Sequence, residues 1–346
     1  MKKVLSIVTV LAVLSLAACS GSGGSDSNPT SGSTASQQGK TYKIVYAATV
    51  STETAAYKAA VTLKKNVESR TNGAVTVDLQ FGGTLGGDAE VVDSMSLGTV
   101  QMGYITDIGY ATCFPELAFV NLPYLFPDYD TVDEHYFNGY LGEKFSALML
   151  DNGLRVLGWG ENDYRSLTCN TPVNSKADLA GMKIRTPELD SLVAFFQKLG
   201  ANPTPMAYSE LLTALQQRTV DGQDNGPILT VDGGFYEVQK YFYMTNHVYS
   251  GAAIAVNEDF FQSLPEEYQS IIAEEADTAG KTQISENRAN VETAVKKMQD
   301  SGMNVVLVLP DALTDDFKAA AHAIWEQFGN QYDSDAMDYI FNNLAN

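Results

Sequence analysis

MKIRTP at Met182–Pro187 and VDGQDNGP at Val220–Pro227 bracket the residues 199–219, LGANPTPMAYSELLTALQQRT. Met182, Ile184 and Thr186 alternate with Lys183 and Arg185 ahead of a proline, the pattern of a short strand that stops at Pro187. Leu189, Leu192, Val193 and Phe196 then recur at helical spacing, and Gly200 supplies the stop. Asn202–Met206 carries two prolines and is expected to be extended or loop. Ser209 is placed to cap a second helix with Leu211, Leu212 and Leu215 on its apolar face, and Asp221-Gly222 to close the unit in a turn. Strand, helix, extended segment, helix and turn make an α/β layer. Ligands of such layers gather at the carboxyl ends of strands, and Arg185 lies at one. The arginine has two readings: a structural ion pair, or a fork that grips a ligand carboxylate through two parallel hydrogen bonds.

Upstream, Met1-Lys2-Lys3 precedes a mostly apolar run, Val4–Ala18, and Leu16-Ala17-Ala18-Cys19 reads as a lipobox. Residues 1–18 are therefore expected to be a lipoprotein signal peptide, with Cys19 the lipidated new N-terminus. An ordinary signal peptide cut nearby and a transmembrane helix are the alternatives; the apolar run is short for a span. Residues 19–40 are almost wholly Ser, Gly, Thr, Asn and Gln, the composition of a flexible tether with a reach on the order of 25 Å.

Thr41–Thr49 reads as a first strand, Ser51 as a helix cap with Glu53 in the first turn, and Ala56, Ala60, Leu63 and Val67 as that helix's buried face. Val75, Val77, Leu79 and Phe81 alternate with polar residues; a short helix and a strand at Val100–Ile105 follow. This βαβαβ order predicts a mostly parallel sheet. The glycine-rich GGTLGGD, Gly82–Asp88, lacks the Gly-Lys-Ser/Thr of a phosphate loop and the dinucleotide spacing, and reads as a loop feeding a helix. Strands are expected at Leu154–Gly160 and Met303–Leu309, and Asp163–Thr168 as a crossing between domains. A helical pattern runs from Pro265 to about Gln299, and closing helices cover Ala312–Gln327 and Asp335–Leu344. With 22 basic and 42 acidic residues the chain disfavours nucleic acid as a partner. A buried arginine can still govern its own pocket, since screening confines surface charge to about 8 Å. Cys113 and Cys169 are left as a free pair or a disulfide.

The core stretch, with SLTCNTPVNSKADLAG before it, resembles the DctP-type substrate-binding proteins of tripartite ATP-independent periplasmic (TRAP) transporters. KIVYAA (Lys43–Ala48), GTLGGDAEVVDSMSLGTVQMGYIT (Gly83–Thr106), NLPYLF (Asn121–Phe126) and FYEVQKYFYMTNHVYS (Phe235–Ser250) extend the likeness to nearly everything from Lys43 to about Leu309. The resemblance implies an α/β, two-lobed, periplasmic-binding-protein-like fold with a ligand cleft, hinge strands and a long helix shared by both lobes. On it, residues 41–162 plus 251–290 form lobe I, and residues 163–250 plus 291–346 form lobe II. It implies an organic acid as ligand and the small and large subunits of a TRAP permease as partners. It further implies Arg185 as the carboxylate fork, Arg165 close to it, Asn225 as a hydrogen-bonding partner, Tyr208 packed on the ligand, and Asp88 and Thr106 as polar contacts from the first lobe. The whole is expected outside the cytoplasm, monomeric, and held to the membrane by the lipid on Cys19.

Where some relatives that use a metal carry Glu-Trp, this chain reads Asp224-Asn225-Gly226, so neither metal nor cofactor is expected, with Asp224 as an outlying candidate ligand. An enzyme is disfavoured: His135, His247 and His322 lie in no metal-type spacing and near no nucleophile motif, and His247 reads as packed or hydrogen-bonded. The rival readings are a subunit that presents ligand to a membrane sensor and an ABC-type binding protein.

Overall fold

The computed structural model describes residues 40–344. The expected signal peptide, the expected lipidation site at Cys19 and the expected tether up to residue 39 lie outside them. Nine strands in the described residues form one sheet: β1 (Tyr42–Ala47), β2 (Val75–Gln80), β3 (Met102–Thr106), β4 (Leu154–Cys169), β5 (Lys183–Thr186), β6 (Asn202–Pro205), β7 (Gly222–Asn225), β8 (Tyr241–Asn257) and β9 (Asn304–Val306). Their order is β2-β1-β3-β8-β4-β7-β5-β6, with β9 on β8. The sheet is mixed, not mostly parallel. Each flank is parallel within itself, β1 with β2 and β3, β5 with β6 and β7. The long central strands β4 and β8 run antiparallel to each other and to β7 and β3. With helices on both flanks this is the two-lobed α/β architecture, its halves joined through β4 and β8.

Several local expectations are corrected. The strand expected at Leu154–Gly160 does not stop there: β4 is continuous through residues 154–169, with register shifts at Glu161/Asp163 and Arg165/Leu167, and the stretch Asp163–Thr168 read as a crossing is part of it. The Asp221-Gly222 pair does not end in a turn. Gly222 opens β7, whose Gln-Asp-Asn would not be chosen on strand propensity and is extended because β4 and β5 pair with it. The first helix, Ala55–Arg70, is capped by Thr54, whose hydroxyl accepts from Tyr57, and not by Ser51. Ser209 lies inside the helix Tyr208–Gln216, which starts after Ala207. Met303–Leu309 contributes only the three residues of β9. Cys113 and Cys169 are free thiols.

The helix Glu266–Asp300 lies against β4 so closely that two glycines are required. A Cβ on Gly280 would fall 2.0 Å from the Trp159 carbonyl oxygen, and one on Gly158 would fall 2.6 Å from that of Ala276. Gln283 of this helix clasps β4, its Oε1 accepting from Glu161 N–H and its Nε2 donating to Glu161 C=O, both at 2.8 Å. Apolar clusters fill each side: Ile44, Leu63, Val67 and Val77 under the first helix, and Ile184, Phe195, Phe196 and Phe317 behind β5.

Candidate functional site

β4, β5, β7 and β8 bring four chain-distant polar segments together. Ser166 pairs with Asn225, Leu167 with Asp224, and Arg185 with Gln223. On this frame Arg165 reaches Asp224. Its Nε donates to Oδ2 at 2.8 Å and its Nη2 to Oδ1 at 3.0 Å, with a further bond from Nη2 to the Asp224 carbonyl. His247 on β8 sets its Nε2 3.4 Å from Asp224 Oδ2, while its Nδ1 lies 2.7 Å from the Thr245 hydroxyl. Phe195 stacks on the imidazole with ring centroids 5.4 Å apart. Burial pushes the Asp224 carboxyl up, but Arg165 and His247 outweigh it and hold the pKa at about 2. Burial lowers the His247 pKa, against the pull of Asp224. A neutral imidazole therefore gives its Nε2 proton to Asp224 and accepts from Thr245. Asp224 is thus the partner of an arginine and a histidine. No group of three or more acidic, histidine or cysteine side chains suited to a metal occurs among the described residues.

Arg185 is placed differently. It is buried, 3 % exposed, and its only hydrogen bonds among the described residues run from Nε and Nη2 to the main-chain carbonyl of Met206, at 3.0 and 2.8 Å. No acidic side chain among the described residues pairs with it. A guanidinium has five N–H donors, so with Nε and one Nη2 proton engaged the Nη1–Nη2 edge keeps two parallel donors. Burial, and then the neighbouring Arg165, pull its pKa from 12.5 down to about 10. The cation is held in place by geometry and left short of negative charge.

Asp88 faces it from the other flank. This residue opens the helix Asp88–Ser96 and is partly exposed. Its Oδ1 accepts from the Thr49 hydroxyl at 2.6 Å and its Oδ2 from the Thr106 hydroxyl at 3.0 Å. Asp88 and Arg185 influence each other's protonation yet form no ion pair. Burial raises the Asp88 pKa despite both hydroxyls. Asn225 is buried and turned by its Nδ2 toward Gln223 Oε1, 2.6 Å away, in a chain that continues through Thr168 and Gln239. Tyr208 sets its ring edge-on to Phe235, centroids 5.7 Å apart, and its phenol pKa is raised by burial and influenced by both Arg185 and Asp88. The two flanks meet directly above these groups: a Cβ on Gly87 would lie 3.2 Å from that of Ala207, next to the carbonyl that holds Arg185.

Of the six residues singled out in the sequence, Arg185, Asp88 and Tyr208 form one electrostatic neighbourhood. Arg165 is already engaged by Asp224, the Thr106 hydroxyl is bonded to Asp88, and the Asn225 amide to Gln223. Sequence reading missed Thr49 as a partner of Asp88 and Asp224 as the partner of Arg165; separations of 39 and 59 residues leave no local signal for either.

Residues 46–331 match the model of a family described as bacterial extracellular solute-binding protein, family 7 (DctP). The chain is 30% identical over 271 residues to the 2,3-diketo-L-gulonate-binding periplasmic protein YiaO of Escherichia coli, covering 78% of this chain and 80% of that one. It is 31% identical over 264 residues to the C4-dicarboxylate-binding periplasmic protein DctP of Rhodobacter capsulatus, covering 75% and 78%. Among solved structures it is similar to the sugar acid binding protein DctPAm of Advenella mimigardefordensis in complex with galactonate. That match has a TM-score of 0.83 and 25% identity, over 88% of this chain and 97% of that one.

Proposed function

The chain belongs to the DctP family of bacterial extracellular solute-binding proteins, and from that premise we propose that it captures an organic acid for a TRAP transporter. The observation that carries this reading is Arg185: buried, aimed by the Met206 carbonyl, and without an acidic partner among the described residues. A buried unpaired guanidinium costs several kcal/mol, and a ligand carboxylate on its open edge offsets much of that cost. Binding then favours the state in which the flanks meet at Gly87 and Ala207, a population shift driven by differential affinity. Closure presents an occupied surface to the small and large permease subunits.

Lobe I is read as residues 41–162 plus 251–290 and lobe II as 163–250 plus 291–346, so that Asp88 and Arg185 come from opposite lobes. The lipobox supports Cys19 as a lipid anchor that holds a monomer at the outer face of the membrane. Relatives named for a keto sugar acid and for C4-dicarboxylates, and a structural neighbour holding galactonate, support a carboxylate ligand.

Isothermal titration of the purified protein with galactonate, 2,3-diketogulonate and succinate tests the reading. At least one acid binds the wild type, and Arg185→Ala weakens it about a hundredfold or more, the loss expected for a charge-assisted bidentate pair. A neutral sugar that binds equally in the wild type and Arg185→Ala would overturn it. Uptake of that acid, lost on deletion of the gene, separates transport from presentation to a sensor.

A further inference from the structure

The last two helices of the chain tie the flanks of the sheet together at a place outside the sheet. The helix Asp311–Phe328 is seated on one flank. Its Leu313, Phe317, Ile324 and Phe328 are buried with Ile184 and Phe195, and the Phe317 and Phe195 rings meet edge-on with centroids 5.6 Å apart. The helix Ser334–Asn343 is seated on the other, its Ala336, Met337 and Ile340 buried with Leu141 and Phe145 of the helix Tyr140–Asp151. Polar contacts fix it there. Lys144 reaches both Asp333 and Asp335 at 3.1 Å. Tyr339 stacks on Tyr140, centroids 4.7 Å apart, with its hydroxyl 2.8 Å from His135 Nδ1. On the division into lobes proposed above, Phe195 belongs to lobe II and Tyr140–Asp151 to lobe I, so the chain crosses between the lobes once more after β4 and β8. Only the five residues 329–333 make this crossing. Gly329–Gln331 are wound into a 3₁₀ turn, and Tyr332 is packed against both apolar clusters. Beside it Trp325 Nε1 donates to the Pro123 carbonyl at 2.9 Å, a further bond between the two lobes.

We propose that residues 329–343 form a strap that confines the relative motion of the lobes, limiting how far the cleft opens and in which direction. This rests on the reading that the lobes close on a ligand. Strands that cross side by side in a sheet can both bend and twist; a tie attached outside the sheet removes part of that freedom. The strap has little length to give. Drawing out its 3₁₀ turn from about 2.0 to about 3.4 Å per residue lengthens it by only about 4 Å. Wider separation has to pull Met337 and Ile340 from a buried seat and break the contacts of Lys144 and Tyr339. An open state confined in this way has fewer arrangements to give up on closing, so the strap tightens ligand binding without touching the ligand.

Inserting eight Gly and Ser residues between Asn330 and Gln331 slackens the strap and leaves both seats intact. Nitroxides carried by an encoded ketone amino acid at the exposed positions Lys65 and Lys198 spare the native cysteines, and double electron–electron resonance then reads the distance between the lobes. Without ligand, the lengthened protein is expected to show a wider distribution that reaches longer distances than the wild type. Saturated with whichever of galactonate, 2,3-diketogulonate and succinate binds, the two are expected to share one distribution. The lengthened protein should bind that acid about fourfold more weakly, from the freedom gained when the five residues 329–333 become thirteen. Ligand-free distributions that coincide overturn the proposal and leave the Arg185 reading intact. A wild type that binds the acid with no change in distance overturns the proposal together with the closure it rests on. If none of the three acids binds, the ligand-free comparison decides alone. If the insertion does not fold, Lys144→Ala combined with Tyr339→Phe loosens the seat on lobe I instead, and an unchanged ligand-free distribution there overturns the proposal equally.

Discussion

Replacing Arg185 by methionine should make the ligand-free protein more stable while removing most of its response to acids. The guanidinium's pKa falls from 12.5 to about 10 because it is buried and lies beside Arg165. At about 1.4 kcal/mol for each tenfold change in a protonation constant, keeping the cation charged there costs on the order of 3 kcal/mol. The sign follows from linkage. A base whose folded pKa is depressed is penalised at every pH below that folded value, so the penalty is present in full at neutral pH. Against this, Met206 loses the two N–H donors on its carbonyl, worth about 1 to 2 kcal/mol. Methionine fills a similar volume, leaving a net gain of about 1 to 2 kcal/mol, or roughly 2 to 5 °C in Tm for a chain of this size. With the bound acid at about a thousandfold above the wild-type Kd, the wild type gains on the order of 4 kcal/mol and a variant weakened a hundredfold or more gains about 1.4 kcal/mol or less. Differential scanning calorimetry with and without galactonate at pH 7.5 measures both. An Arg185→Met protein that melts below the wild type without ligand, yet rises with the acid as far as the wild type does, would refute the argument that this arginine is an unmet charge.

Three further outcomes follow from other buried groups. Asp224→Asn leaves Arg165 buried without its counter-charge and should cost about 3 to 5 kcal/mol, read as a fall in the urea midpoint at constant slope; an unchanged midpoint would mean that the pair contributes nothing. Asp107 is buried and accepts from Gly251 N–H at 2.7 Å, and burial raises its pKa to about 7. Stability tied to a raised carboxyl is full below its unfolded pKa and is lost as pH climbs from about 4 through 7. Asp107→Asn should therefore gain on the wild type with rising pH, by on the order of 4 kcal/mol between pH 4 and pH 8; parallel pH curves would contradict this. Gly280→Ala drives a methyl into the Trp159 carbonyl and should destabilise by about 3 kcal/mol or more, visible as a lower Tm or as aggregation on expression, whereas wild-type melting would disprove the close approach.

What could be read in advance depended on whether the cause was local. Arg185 was legible because alternation and a following proline mark the end of β5 within six residues. The long helix Glu266–Asp300 was legible from its spacing and Pro265. β7 was not, since Gln223-Asp224-Asn225 carries no strand signal and is extended only through pairing with β4 and β5. The mixed sense of the sheet was likewise hidden, because it follows from two long strands passing each other across the molecule. In the site, single residues could be named from the sequence while their partners could not. Thr49 meets Asp88, and Asp224 meets Arg165 and His247, only once the sheet has assembled.

The grip on Arg185 comes from a main-chain carbonyl and not from a side chain. Its aim is therefore indifferent to which side chain stands at position 206. Mutational drift through Met206–Ser209, or through the facing glycine loop, can recut the surroundings of Arg185 while the carboxylate anchor proposed there is inherited unchanged. On that proposal a lineage can change its diet without first having to rebuild the part of the site that would recognise an acid.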